Sequence, residues 1–309
     1  MEITAANLQA LRVTFSKVYG GAFDVADNWY SQVATTMPSG ARLNTYGWMN
    51  NLPMLREWQG ERHVHNVSEV SYQIYNKKYE LTYALSRSDI EDDAGTLGIY
   101  NTQFEDLGRN AKKHPDVLVA TAASNGQNVA CFDGQPFFST SHPVSTVDPA
   151  LGTYSNYSAS GMALTAANFN TVFATMASYQ SAGGVRLGVT PDTLLVPPQL
   201  RVAARKICEM EMIESDIANV YAPISNVYKG MAKVVVAEEL AAYPTAWYLL
   251  CTKRSVKPFV YQLRKATEFS CLVNLTDPNV FDNDEFKFGC YVRDNAGYSL
   301  PFLAYKALA

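Results

Sequence analysis

Residues 79–125 read YELTYALSRSDIEDDAGTLGIYNTQFEDLGRNAKKHPDVLVATAASN, and this stretch sets the organisation of the chain. It opens with the alternation of a half-buried strand, which places Leu81, Tyr83 and Leu85 on one face. After Gly98 the apolar period becomes that of a long amphipathic helix. The buried face predicted for this helix comprises Ile99, Phe104, Leu107, Ala111, Val117, Leu118 and Thr121. We expect a helix of this length to be the central element against which the other parts of the chain pack.

An acidic cluster and a proline interrupt the pattern. Residues 88–93 read SDIEDD, and their carboxylates are expected to accept from the free N–H groups at the helix start, at the positive end of the helix dipole. Pro115 falls inside the helical pattern and has no N–H group. The sequence therefore predicts a kink or a restart of the helix at Pro115.

Composition excludes several classes of protein. The 309 residues are 48% hydrophobic and 17% charged, and include 19 Tyr and 14 Phe. The net charge of −4 and pI of 5.6 argue against sequence-independent nucleic-acid binding, which needs dense Lys and Arg. No apolar run of membrane-spanning length and no signal peptide is visible. The five cysteines lack CxxC spacing, which is typical of free thiols in a reducing compartment.

Residues 44–80 are dense in strand-forming aromatic and β-branched residues, with charges between them. They predict a long two-stranded excursion, with turn points at 59–61 and 76–78. An isolated hairpin is marginally stable, so a second copy of the chain is expected to cover it. The predicted contacts between subunits are Arg56, Glu57, Trp58, Arg62, Tyr75, Lys77, Lys78 and Tyr79.

The rest of the chain alternates between helices and strands. Helices are predicted from Thr4 to Tyr19, from Thr165 onward, and after Pro197 and Pro198, the first two capped by a threonine. Residues 125–165 are rich in Ser, Gly, Thr and Pro, which predicts a long surface loop with one hairpin at most. Strands are predicted at 193–196, 233–237, 247–251, 259–263, 286–292 and 298–305. The end of the chain is thus expected to return to strands near the long helix.

Three groups of residues are candidates for chemical sites. His63 and His65 share a strand face, but no third metal ligand accompanies them. The acidic residues at 89–93 lack the spacing of a calcium loop, and helix-start electrostatics explains them. Cys131, Asp133 and His142 supply the residue types of a cysteine nucleophile, but in a Gly- and Pro-rich loop without a rigid strand end. The sequence therefore assigns no catalytic, cofactor-binding or metal-binding residues and no cofactor.

Several motifs, taken together in this order, resemble the major head (capsid) protein family of phage Mu and Mu-like prophages. They are NTYGWMNNLPMLREWQGERHVHNV (44–67), YQIYNKKYELTYALSRSDIEDD (72–93), the GIY…GRNAKKHPD helix (98–116) and CFDGQPFFSTSHPV (131–144). TLLVPPQLRVAARKI (193–207) is similar to a stretch common among tailed-phage shell proteins. The resemblance runs from Asn7 nearly to the end of the chain.

The resemblance implies an α+β fold, the Hong Kong 97-type (HK97-like) capsid fold, with five parts. These are an N-terminal arm (1–43), an extended β-hairpin loop (44–88), a peripheral domain with a long spine helix (89–164), an α/β axial domain (165–255) and a return to the peripheral domain (256–309). In such a fold each extended loop lies over the spine helix of a neighbouring subunit. The resemblance assigns no crosslinking residues.

The function implied is that of a major capsid protein, a structural, non-enzymatic subunit. Its copies would self-assemble into pentamers and hexamers of an icosahedral tailed-phage head that encloses double-stranded DNA without sequence-specific contact. Expected partners are a separate scaffold and protease, a portal, a decoration protein and no membrane. We expect assembly in the host cytoplasm, residence in the virion, and no maturation cleavage of this N-terminus. The alternatives are an encapsulin-like nanocompartment shell and, from another class, a cytosolic hydrolase using Cys131 and His142.

Overall fold

The computed structural model describes residues 2–49, 69–92, 98–145, 149–181, 184–214 and 223–309. Its helices are α1 (Ala5–Val25), α2 (Tyr30–Val33), α3 (Arg87–Asp92), α4 (Gly98–Asn125), α5 (Ala166–Ala177), α6 (Arg201–Cys208) and α7 (Pro278–Asn283). Short 3-10 turns lie at Pro149–Leu151, Pro198–Leu200, Glu238–Leu240 and Pro301–Leu303.

The strands of the described residues are mostly short, apart from three long ones near residue 80 and after residue 258. They are β1 (Ala34–Pro38), β2 (Leu43–Met49), β3 (Glu69–Tyr75), β4 (Lys77–Ser86), β5 (His142–Pro143), β6 (Thr153–Tyr154), β7 (Tyr157–Ser158), β8 (Thr193–Val196), β9 (Met212–Glu214), β10 (Pro223–Ser225), β11 (Lys233–Val236), β12 (Ala246–Leu250), β13 (Phe259–Leu272), β14 (Glu285–Tyr298) and β15 (Ala304–Leu308). The mixture of helices with largely antiparallel sheets is the α+β class expected.

The two predicted threonine caps are confirmed. The Thr4 hydroxyl accepts from the backbone N–H of Asn7 at 3.2 Å, and the Thr165 hydroxyl accepts from that of Asn168 at 3.2 Å. Each bond satisfies a donor that the first turn would otherwise leave free. Helix α1 ends at Val25, six residues beyond its predicted end at Tyr19, and thus includes the two glycines at 20–21.

Helix α4, which we call the spine helix, differs from its prediction in register and continuity. It runs without a break through Pro115, so the predicted restart is wrong. Phe104 and Leu107 are buried as expected, but Val117 is 47% exposed and Thr121 is also exposed. The buried positions after Pro115 are Asp116, Val119, Ala120, Ala123 and Ser124. They lie on a different side of the helix from Phe104 and Leu107, because the two halves of the helix pack against different apolar clusters.

The acidic residues ahead of the spine helix form a helix of their own. Asp89 and Asp92 belong to α3, and Glu91 in the same helix pairs with Arg87 at 3.0 Å. They therefore lie in a separate element rather than directly at the first turn of the spine helix. Asp93 lies outside the described residues.

Two sheets organise the chain. The first has the order β1-β13-β14-β4, in which β14 pairs antiparallel with both β13 and β4. The second has the order β11-β8-β12-β15-β7, in which β15 lies between β12 and β7. Residues 256–309 are thus shared between the sheets: β13 and β14 lie beside β4, whereas β15 lies in the second sheet.

Three apolar cores join these elements. Core 1 packs α1 and the first half of the spine helix onto the first sheet, where the rings of Phe15 and Phe104 stack with centroids 4.0 Å apart. Core 2 packs the second half of the spine helix between both sheets. Core 3 packs α5 and α6 against the second sheet around Trp247. Since the spine helix contributes to cores 1 and 2, it connects the two sheets.

Residues 126–145 correct another prediction. They were expected to form a surface loop, but Phe137 and Phe138 are at most 1% exposed and His142 is completely buried. The ring of Phe137 stacks on that of Tyr298 with centroids 4.6 Å apart. This segment therefore belongs to core 2, although its Ser- and Gly-rich composition is that of a loop.

Candidate assembly surface and buried polar clusters

The hairpin of β2 and β3 forms a separate two-stranded sheet that is tied to the first sheet. The strands pair antiparallel from Leu43 opposite Tyr75 to Met49 opposite Glu69. Gln262, which is fully buried, accepts from the Tyr46 hydroxyl at 2.8 Å and donates to the Ile74 carbonyl at 3.1 Å. Within the described residues, no third strand pairs with this hairpin.

Four of the eight predicted contact residues are described, and they follow the hairpin base into β4. Tyr75 is 50% exposed, and Lys77 and Lys78 are exposed. Tyr79 is half-buried, because its ring lies 4.4 Å from that of His114 on the spine helix. Arg56, Glu57, Trp58 and Arg62, like His63 and His65, lie outside the described residues.

The spine helix is fixed behind Tyr79 by a buried carboxylate. The imidazole of His114 lies 3.1 Å from one oxygen of Asp294, and the Tyr261 hydroxyl donates to the other at 2.6 Å. Asp294 is completely buried, so these contacts replace the water that the carboxylate would otherwise bind. The strand that continues from the hairpin is therefore seated on a rigid support.

Strand β4 lies at an edge of the first sheet. Across the part of the chain that the structure describes, it pairs with β14 on one side and presents its other side unpaired. A ten-residue edge with free backbone groups is a surface on which another chain can add contacts. The exposed Lys77 and Lys78 lie at the start of this edge.

One buried cluster contains Cys131, Asp133 and His142, which the sequence predicted to lie in a surface loop. The Cys131 thiol donates to Asp133 Oδ1 at 3.0 Å, and His142 Nδ1 lies 2.6 Å from Asp133 Oδ2. Burial raises the pKa of Cys131, and the Asp133 charge raises it further. Burial also acts to raise the pKa of Asp133, but hydrogen bonds from His142 and Cys131 lower it overall. The thiol is thus held protonated and bonded to a carboxylate, which opposes the nucleophilic role that a hydrolase would require.

A cleft of about 560 Å³ separates the start of α2, the spine helix and the turn at 238–240. Asp116 lies beneath it, and its Oδ1 accepts from the backbone N–H groups of Trp29 and Tyr30 at 3.0 and 2.7 Å. Above it, Lys113 pairs with Glu238 at 3.1 Å. Asp116 thus ties the segment after α1 to the spine helix. An aspartate on an apolar helix face carries no sequence motif, so only the structure reveals this contact.

The Asp116 carboxylate should make stability depend on pH. Burial raises its pKa to about 6, the opposing hydrogen bonds notwithstanding, so between pH 4 and 6 the folded state binds more protons than the unfolded state. Stability is therefore gained as pH falls from 7 to 5. Relative to Asp116→Asn, which retains an acceptor oxygen, the wild type should gain about 1.3 kcal/mol in urea unfolding over this range. A difference between the two proteins that is the same at both pH values would contradict this.

Lys306 of β15 is a further buried charge that the sequence did not reveal. Its ammonium donates to the Ser124 carbonyl at 2.9 Å and to Gln127 Oε1 at 2.6 Å, at the C-terminal end of the spine helix. Burial lowers its pKa to about 8. A cation at this end of a helix is stabilised by the free carbonyls and the helix dipole.

Across the described residues, no helix has both the length and the apolar character that crossing a bilayer requires.

Comparisons with known proteins cover almost the whole chain. The family model described as "Mu-like prophage major head subunit gpT" matches residues 8–163, 157–240 and 226–309. The major capsid protein of Escherichia phage Mu is 28% identical over 298 residues, 96% of this chain and 72% of that protein. The Mu-like prophage FluMu major head subunit of Haemophilus influenzae is 29% identical over 303 residues, 98% of this chain and 73% of that protein.

The structure is similar to a solved phage shell. A chain of the procapsid of bacteriophage JBD30 superposes with a TM-score of 0.59 at 30% sequence identity. The match covers 99% of this chain and 76% of that chain. Sequence and fold thus point to the same group of proteins.

Proposed function

Since the chain belongs to the Mu-like prophage major head subunit family and is a major capsid protein of a phage head, we propose that its copies form pentamers and hexamers of an icosahedral shell around double-stranded DNA. Its fold is the HK97-like capsid fold that the sequence motifs implied. The observation that carries the finer proposal is the β2–β3 hairpin, which has no further strand beside it in the described residues.

The hairpin supports an arrangement in which each subunit covers part of the next. A two-stranded ribbon alone is marginally stable in water, whereas one seated on a neighbour buries its second face. We assign residues 1–43 to an arm, 44–88 to the extended loop together with the β4 strand that anchors it in the first sheet, 89–164 with most of 256–309 to a peripheral domain, and 165–255 with β15 to an axial domain. Repeated in closed symmetry, modest contacts of this kind give a stable container.

The partners that we propose are those that a DNA-filled shell requires for its assembly and filling. Scaffold and protease proteins would guide assembly in the host cytoplasm, a portal would occupy one vertex, and a decoration protein could cover the virion surface. The net charge of −4 suits an inner wall that does not grip phosphate. We assign the chain a structural and not an enzymatic role, in keeping with its capsid family.

Electron microscopy of purified particles, alone and from phage lysate, tests the proposal. We expect capsomers or closed shells from the purified chain and nuclease-protected double-stranded DNA in particles from lysate. An encapsulin-like shell would instead hold a protein cargo and no genome. A small globular oligomer at all concentrations would overturn the assembly proposal and favour the hydrolase alternative.

The exposed lysines after the hairpin should contribute to contacts between subunits. The double variant Lys77→Glu and Lys78→Glu reverses two charges at the start of the β4 edge, so repulsion should weaken association. We expect the concentration needed for assembly to rise about tenfold, equivalent to about 1.4 kcal/mol, as measured by light scattering.

The matched control is Lys233→Glu with Lys253→Glu, since both residues are exposed and lie elsewhere on the chain. It changes the net charge equally and should assemble at nearly the wild-type concentration. If both double variants assemble alike, net charge rather than contact at Lys77 and Lys78 governs association.

A further inference from the structure

We propose that Cys131, Asp133 and His142 form a binding site for a divalent transition-metal ion, with zinc as the ion that the donor set favours. Thiolate, carboxylate and imidazole are the three side-chain ligands that zinc takes in proteins. Over the described ranges, these three residues are the one group of potential ligands that lies within reach of a shared ion. The inference concerns the stability of core 2 and does not rest on the assembly proposal.

The donor atoms lie near enough to one another for a small movement to bring them onto a common ion. One donor atom from each residue lies within 4.8 Å of the others. Since zinc lies about 2.3 Å from sulfur and about 2.0 Å from nitrogen or oxygen, the ligand atoms of a tetrahedral site lie about 3.5 Å apart. Donor atoms at the 4.8 Å limit would therefore need to approach one another by about 1 Å. Three protein ligands leave a fourth tetrahedral position for water.

The histidine is oriented as a metal ligand requires. His142 Nε2 lies 3.2 Å from the Phe137 carbonyl, which can only accept, so Nε2 carries a hydrogen and Nδ1 faces the cluster. The same carbonyl accepts from the buried Asn156 amide at 2.8 Å, which fixes its position. A backbone carbonyl that receives the second ring N–H is the support that metal-binding histidines commonly have.

The backbone holds the two other ligands in a tight turn. The Gly134 N–H donates to the Cys131 carbonyl at 3.2 Å, and the Cys131 N–H donates to the Gln135 carbonyl at 2.8 Å. Gly134 has φ of +80°, which a glycine adopts without strain, and it is exposed above the cluster. The turn thus places Cys131 and Asp133 side by side.

Charge balance permits the exchange of protons for metal. The hydrogen bonds account for two protons: one on the Cys131 thiol and one between His142 Nδ1 and Asp133 Oδ2. A divalent cation would displace both into solvent and bind thiolate, carboxylate and neutral imidazole. The cluster is neutral before and after this exchange, so metal binding would bury no net charge.

Cobalt binding to the purified full-length chain under reducing conditions tests the proposal. We expect a thiolate-to-cobalt charge-transfer band that saturates at one equivalent and disappears when zinc is added. Cys131→Ser should lose this band. Cys271→Ser should retain it, although Cys271 is the most accessible of the five thiols.

Circular dichroism and thermal unfolding separate a lost ligand from a lost fold. We expect Cys131→Ser and Asp133→Asn to keep the wild-type spectrum, and zinc to raise the Tm of the wild type but not of these variants. If Cys131→Ser does not fold, the result with Asp133→Asn decides. Absence of the cobalt band in the folded wild type, or its persistence in Cys131→Ser, would overturn the proposal.

Discussion

Excision of residues 48–70, with Gly47 joined to Ser71 through an Asn-Gly turn, should give a folded subunit that does not close into shells. Gly47 and Ser71 face each other across the hairpin, so a two-residue turn can join them in register. Tyr46 and Tyr72 remain against core 2, so stability in urea should change by about 1 kcal/mol or less. Shell formation should fall below detection in electron microscopy and sedimentation, because each subunit loses the element proposed to cover its neighbour.

Tyr46→Phe is the matched control for the excision. It removes the hydrogen bond to Gln262 but keeps the hairpin, so it should cost about 1 kcal/mol and still assemble. Normal shells from the excised protein would show that the hairpin is dispensable, while its family membership would stand.

Gly108→Ala should destabilise the subunit by about 2 kcal/mol and weaken the docking of α1. A Cβ at this position would lie 2.4 Å from the Tyr19 carbonyl and 3.1 Å from the Ala22 Cβ, so the two helices would have to separate. Alanine is favoured over glycine in a helix by about 1 kcal/mol, but a backbone carbonyl cannot move aside as a flexible side chain can. Thermal unfolding and proteolysis between α1 and the spine helix would measure the loss.

Gly21→Ala, within α1, should have the opposite effect on the free energy of unfolding. Gly21 is exposed and a Cβ there meets no atom within 4 Å, so the helix propensity of alanine should raise stability by about 0.5–1 kcal/mol. Equal effects of the two substitutions would mean that close packing at Gly108 is not limiting.

Local chemistry accounts for the elements that the sequence predicted correctly. Threonine caps at Thr4 and Thr165, alternation in β4 and the double proline before α6 each act over a few residues, so the order of residues reveals them. The resemblance to a capsid family adds the fold. The positions of the eight predicted contact residues in an assembly stay a prediction.

The features that sequence analysis missed depend on distant residues. Lys306 meets Ser124 across 182 positions, and Asp116 binds an N–H group 87 positions away. Residues 126–145 were misjudged because polar composition indicates a loop, whereas buried aromatic rings pull this segment inward. Cys131, Asp133 and His142 were dismissed for the same reason, since the turn at Gly134 that joins two of them carries no sequence motif of its own.

The position of β15 in the second sheet determines when that sheet can form during synthesis of the chain. The strand at 304–308 fills the gap between β12 and β7, whose residues were made about 60 and 150 positions earlier. That sheet cannot be completed on the ribosome until this strand has emerged, and its pairings across such separations form slowly. A truncated chain that lacks β15 would leave β12 and β7 unpaired on the sides that β15 covers. Such an incomplete subunit should therefore not assemble with complete ones.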